Sequence, residues 1–145
     1  MHEALSRQLF DSAIENLTPE LCASLGWRLI EHEYPVLDVE FAAANRVPIR
    51  VRLTCDAWNS LPPAVSFHSS DGTLLTQLPI SPENQFNNSA HPSTGRPFLC
   101  MIGAREYHQH SSHITDLWDN YRDRPGYDLG GILAQIHSAW RISKP

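Results

Sequence analysis

Apolar residues recur at helical spacing over the first segment. Leu5, Leu9, Phe10, Ala13, Ile14 and Leu17 fall on one side, which predicts an amphipathic helix. Thr18-Pro19-Glu20 reads as a second start, with Thr18 as N-cap and Pro19 in the first turn, where a missing N–H leaves no bond unmade. Gly26 is the expected stop, because glycine tolerates the left-handed conformation that ends many helices. The apolar period then shortens to that of a strand. Trp27 to Glu33 predicts one strand, and Leu37, Val39, Phe41 and Ala43 mark the buried side of the next. Val47, Ile49, Val51 and Leu53 alternate with Pro48, Arg50, Arg52 and Thr54, the clearest strand signal in the chain. Ala44-Asn45-Arg46 turns one strand into the other. Pro48 cannot donate to a ladder and places the start of its strand at an edge or a bulge. Ala64 to His68 follows a double proline as a further short strand.

Beyond it the pattern weakens. Ser69 to Ser93 is rich in Ser, Asn, Pro and Gly and is longer than an ordinary connection, which suggests a functional loop. Within it Asp71-Gly72 is a hairpin-turn dipeptide, and Thr73 to Leu78 has the composition of an extra strand. Phe98 to Ile102 is a short apolar run that contains Cys100. Ile114, Leu117, Trp118 and Tyr121 predict a helix, and Leu129, Ile132, Leu133, Ile136 and Trp140 predict a closing one. Gly130-Gly131 would let that last helix pack closely on a sheet. Strands that follow one another without helical crossovers exclude Rossmann and TIM architectures. The expectation is an α+β fold in one domain, residues 1–145, with Val65, Phe67, Leu133 and Ile136 in its core.

Composition narrows the function classes. At 145 residues, 41% of them hydrophobic and 19% charged, the chain can bury a core without metal or disulfide staples. A net charge of −5 and the lack of a basic stripe argue against nucleic acid as a partner. No apolar run approaches the about 20 residues that span a bilayer. Met1-His2-Glu3-Ala4 lacks the blocks of a signal peptide. Cys22, Cys55 and Cys100 form no CxxC pair, and this sparse, odd count points to a reducing compartment, the cytoplasm. Two of the three are expected to be inert buried thiols.

Three motifs stand in a telling order. Trp58-Asn59-Ser60-Leu61-Pro62-Pro63-Ala64-Val65-Ser66-Phe67 carries an aromatic residue, then a paired proline, then alternating Val and Phe. His91-Pro92-Ser93 is followed by Gly95 and by Cys100 inside Phe98-Leu99-Cys100-Met101. Trp118 and an Ile-Leu-x-x-Ile helix come last. From about Leu37 to Trp140 this order resembles the ubiquitin-conjugating (E2) family. The resemblance implies a UBC (E2)-like fold: a four-stranded antiparallel sheet flanked by N-terminal and C-terminal helices. It implies that Cys100 accepts a protein C-terminus as a thioester and passes it to a lysine amine.

The chain also departs from the family. Asn59 replaces the usual proline, and Ser93 stands where the family has an oxyanion-stabilising asparagine. The Phe67–His91 and Cys100–Trp118 connections are long, and the two C-terminal helices of eukaryotic members have no counterpart after Trp140. In these respects the chain resembles minimal bacterial E2 proteins of conjugation and antiphage operons, in which a histidine often replaces that asparagine. The stand-alone E2 of short CBASS antiphage systems fits best by size. The implied partner is a cGAS-like nucleotidyltransferase or a ubiquitin-like protein. No cofactor is implied; any ATP would be spent by a separate activating enzyme. A homodimer is compatible with the sequence.

The residues around Cys100 support several chemistries. A thiolate is the reactive form of cysteine, and an imidazole promotes it. His108, His110 and His113 follow Cys100 closely and could supply a general base or an oxyanion partner. His108 and His110 are the favoured pair, with His91 and His113 in reserve. The same histidines with Cys100 could instead bind zinc, although His-x-His-x-x-His is not a standard spacing. They could also be a solvated loop, with Cys100 structural in a non-catalytic binding module. Asp116, Asp119 and Asp123 read as a solvated face.

Overall fold

Helices α1 (Glu3–Ile14) and α2 (Pro19–Ser24) open the chain in a computed structural model that describes residues 1–145. Thr18 caps α2 through its hydroxyl, which accepts the Leu21 N–H at 3.1 Å, and Gly26 follows with φ +79°. Strands β1 (Trp27–Glu33), β2 (Val36–Phe41), β3 (Ile49–Thr54) and β4 (Ala64–His68) then form a four-stranded antiparallel meander in sequence order. Residue contacts group the chain into two compact units, Met1–Leu75 and Thr76–Pro145.

In the first unit the alternation seen in the sequence becomes two unlike sheet faces. Leu37, Val39, Phe41, Ile49, Val51, Leu53, Val65 and Phe67 are buried on one. On the other, Asp38 is opposite Arg52 and Glu40 opposite Arg50. Asp38 is sealed from solvent, and its Oδ2 takes Arg50 Nη2 at 2.7 Å and Arg52 Nη2 at 3.1 Å. A buried carboxylate persists only when paired and hydrogen-bonded, and two guanidinium forks meet that need. Pro48 precedes β3, an interior strand, and so stays out of the ladder; the edge or bulge expected from it is absent. Thr73–Leu78 is not a strand. Only Leu74 bridges His68, closing a turn in which Asp71 Oδ1 accepts the Thr73 N–H at 2.9 Å.

The second unit is mostly turns around short elements. Strands β5 (Phe86–Asn87) and β6 (Phe98–Leu99) pair antiparallel. Helix α3 (Arg105–Gln109) follows, then a 3-10 turn (Trp118–Asn120), then helix α4 (Leu129–Arg141). Helix α4 buries Leu129, Ile132, Leu133, Ile136, Ala139 and Trp140. The Asp128 carboxylate caps it by accepting the Gly131 N–H at 2.7 Å. A Cβ on Gly131 would lie 2.5 Å from the Gly126 carbonyl oxygen, so this glycine seats the helix against its own entry turn, a nearer constraint than the sheet packing expected of it. The helix expected across Ile114–Tyr121 does not form. Ile114 and Leu117 are 58% and 54% exposed, so no buried face drives it. No helix is long and apolar enough to cross a membrane.

Candidate functional site

Cys100 follows β6, and its N–H donates to the Gln85 carbonyl at 2.7 Å, extending the two-stranded ladder by one bond. The long Pro/Asn-rich segment therefore borders the thiol through Glu83 and Gln85. Both line an open groove of about 600 Å³ with Cys100, Met101, Tyr107 and Ile142. The Cys100 side chain is half-buried, whereas Cys22 and Cys55 are buried. Burial raises the Cys100 thiol above the ordinary thiol pKa, so at neutral pH it rests protonated.

The imidazole at the thiol is His113, whose Nε2 lies 3.7 Å from Cys100 Sγ. This is the histidine held in reserve; the favoured ones have other work. His108 Nε2 accepts the Gly103 N–H at 3.1 Å, and its Nδ1–H donates to the Asp116 carbonyl at 2.7 Å. Burial lowers its pKa, in keeping with a neutral ring spent on two backbone bonds. His91 is sealed in the interior; its Nε2–H donates to the Glu106 carbonyl at 2.8 Å, and its Nδ1 accepts the Ser93 N–H at 3.0 Å. It thus ties the His91–Arg96 loop to α3. His110 Nδ1 accepts the Ser112 N–H at 3.1 Å, and its ring stacks on Phe98. As placed, His91 and His108 are structural clasps, and His110 is a turn residue.

Asp116 is not on a solvated face. Its two carboxylate oxygens accept Tyr107 Oη–H at 2.6 Å and Tyr121 Oη–H at 2.7 Å. These bonds hold its pKa below the usual carboxylate range; burial and then the bond to Asp116 push the Tyr107 phenol up, and the bond to Asp116 raises that of Tyr121. The Tyr107 ring stacks on His113, with centroids 4.1 Å apart and planes 15° from parallel. Cys100, His113, Tyr107, Asp116 and Tyr121 therefore form one connected group. Asp119 and Asp123 remain exposed as expected.

No family model and no curated protein matches this chain. The site is therefore read from its own chemistry. Cys100, His108, His110 and His113 form no metal-ligand cluster; both His108 nitrogens already serve backbone groups. What the site offers is a thiol that lines an open groove and an imidazole 3.7 Å from that thiol. Tyr107, Asp116 and Tyr121 carried no sequence signal as a set. Their spacings match neither helical nor strand period, and only the turns between Gln109 and Trp118 bring them together.

Proposed function

We propose that this protein is an E2-like acyltransferase that carries a protein C-terminus as a thioester on Cys100 and delivers it to a lysine amine. The observation that carries the reading is the half-buried Cys100 thiol with His113 Nε2 at 3.7 Å beside an open groove. The fold agrees with it. An N-terminal helix, a four-strand antiparallel meander, a cysteine after a long loop and a closing helix follow in the order that the E2 resemblance implies, and we read the fold as UBC-like.

The chemistry follows from the protonated thiol. As sulfur attacks an activated carboxyl carbon, the S–H proton passes to His113 Nε2, and the leaving group departs with a proton returned from the imidazolium. In the second step a lysine amine attacks the thioester carbonyl and gives up a proton. The C–S bond breaks and Cys100 recovers its thiol. With Ser93 in place of the asparagine, His113 is the residue at the thiol able to donate to the developing oxyanion. The donor is a cGAS-like nucleotidyltransferase or a ubiquitin-like protein, the setting is bacterial antiphage defence, and the compartment is the cytoplasm, where thiols stay reduced.

Co-expression with a cGAS-like nucleotidyltransferase, followed by non-reducing gels and intact mass, tests this. Wild type should form a thiol-sensitive adduct, Cys100→Ser a slower-turning oxyester, and Cys100→Ala none. A second reading, a non-catalytic binding module, draws on the raised thiol pKa. Non-covalent association with the partner and no adduct in any variant would put that reading in its place.

A further inference from the structure

We infer that Tyr107, anchored by Asp116, is the positioning residue that aims the His113 imidazole at Cys100; the inference rests on reading Cys100 and His113 as the working pair. In many cysteine–histidine sites a third polar group orients the imidazole by a hydrogen bond. Here the hydrogen bond made by the His113 ring goes to Cys100, and the ring is held by its face instead. The Tyr107 ring lies nearly parallel to it at 4.1 Å. A stacked platform restricts tilt of the imidazole, but it works only if it is itself fixed.

Asp116 fixes it from several sides. Its carboxylate holds the Tyr107 hydroxyl at 2.6 Å and the Tyr121 hydroxyl at 2.7 Å. Its N–H donates to the His113 carbonyl at 2.9 Å, and its own carbonyl accepts His108 Nδ1–H at 2.7 Å. One residue thus sets both the backbone that carries the imidazole and the aromatic ring beneath it. The titratable groups around His113 are Cys100, Tyr107, His108, His110 and Asp116.

The test is the alkylation rate of Cys100 by iodoacetamide across pH 6 to 9, read at peptide level by mass spectrometry. It needs neither acyl donor nor activating enzyme. His113→Ala should slow alkylation at pH 7 by about tenfold or more, since a positioned base is lost. Tyr107→Leu should approach that rate and show the same pH profile. Tyr107→Phe keeps the platform and loses the anchor, and should fall between. Tyr107→Leu combined with His113→Ala should be no slower than His113→Ala alone, because coupled residues are not additive. Wild-type alkylation in folded Tyr107→Leu, or an additive double variant, would overturn the inference. So would a His113→Ala rate equal to wild type, which removes the pair itself. Should Tyr107→Leu fail to fold, Tyr107→Phe decides: a profile identical to wild type would refute the anchoring by Asp116. Conjugation lost in all forms while these alkylation differences persist would instead reject the acyltransferase reading and leave the positioning role standing.

Discussion

Met1–Leu75 is built on ladders: four strands pair in register over most of their length, and each side chain's role follows from which face it occupies. Thr76–Pro145 has one two-residue strand pair, a five-residue helix and one long helix. Between these, side chains hold the backbone: His91 clasps Glu106, His108 clasps Gly103 and Asp116, and Asn88 holds both polar groups of Leu78. The contrast shows where chemistry can reside. A ladder satisfies its own backbone and leaves side chains to pack. A segment without ladders recruits polar side chains to satisfy the backbone, and the same segment presents Cys100 to the groove and sets His113 beside it.

The largest effect that would break this contrast is at the cysteines. Cys100→Ala should abolish any covalent adduct, whereas Cys22→Ala and Cys55→Ala should leave it intact and each cost about 1 kcal/mol of stability from lost packing. Urea unfolding and non-reducing gels check the two halves. Next comes the buried charge of the first unit. Asp38→Ala leaves Arg50 and Arg52 without their carboxylate and should cost about 3 kcal/mol. Arg52→Ala should cost about 1 kcal/mol, because that side chain is a third exposed and Arg50 still pairs. A loss in Arg52→Ala as large as that in Asp38→Ala would mean that Arg50 alone does not hold the buried carboxylate.

The histidines sharpen the comparison within the second unit. His91→Ala leaves the buried Glu106 carbonyl without its partner, removes the acceptor of the Ser93 N–H and should cost about 2 kcal/mol. His113→Ala should unfold like wild type, yet slow acyl transfer about 100-fold. If His91→Ala instead spared stability and stopped transfer, clasp and base would have to be exchanged.

The smallest effect is pH-dependent. Burial lowers His108 and His137 in the second unit and His68 in the first. The folded state of each favours the neutral ring. Its contribution is present above the unfolded pKa of about 6.5 and is lost as pH falls through the lower folded value. From pH 7.5 to pH 5 the melting temperature should therefore fall, with amide exchange rising more in Thr76–Pro145. The fall should be shallower in His108→Gln. A flat melting temperature over that interval would remove the burial argument for these rings.

Much of the fold was legible because burial periodicity is local. Leu37-x-Val39-x-Phe41 and Ile49-x-Val51-x-Leu53 each need only their own alternation to mark a strand. Leu129 through Trp140 needs only its helical stripe. The same rule misled at Ile114–Tyr121, where apolar spacing suits a helix but Ile114 and Leu117 face solvent. It was silent on α3, whose run Arg105-Glu106-Tyr107-His108-Gln109 has no apolar stripe.

By itself the sequence determined the two end helices and the order and faces of the four strands, and it singled out Cys100 as a candidate thiol. Tertiary structure alone decided which histidine meets that thiol. His108, His110 and His113 are alike in type and near in sequence, but the chain leaves helical geometry at His110, with φ −73° and ψ 138°. That change of direction sends His113 to Cys100 and leaves His108 spent on backbone groups. A turn's direction is set by the bonds that close it, here those converging on Asp116, and such bonds join residues that no sequence period relates.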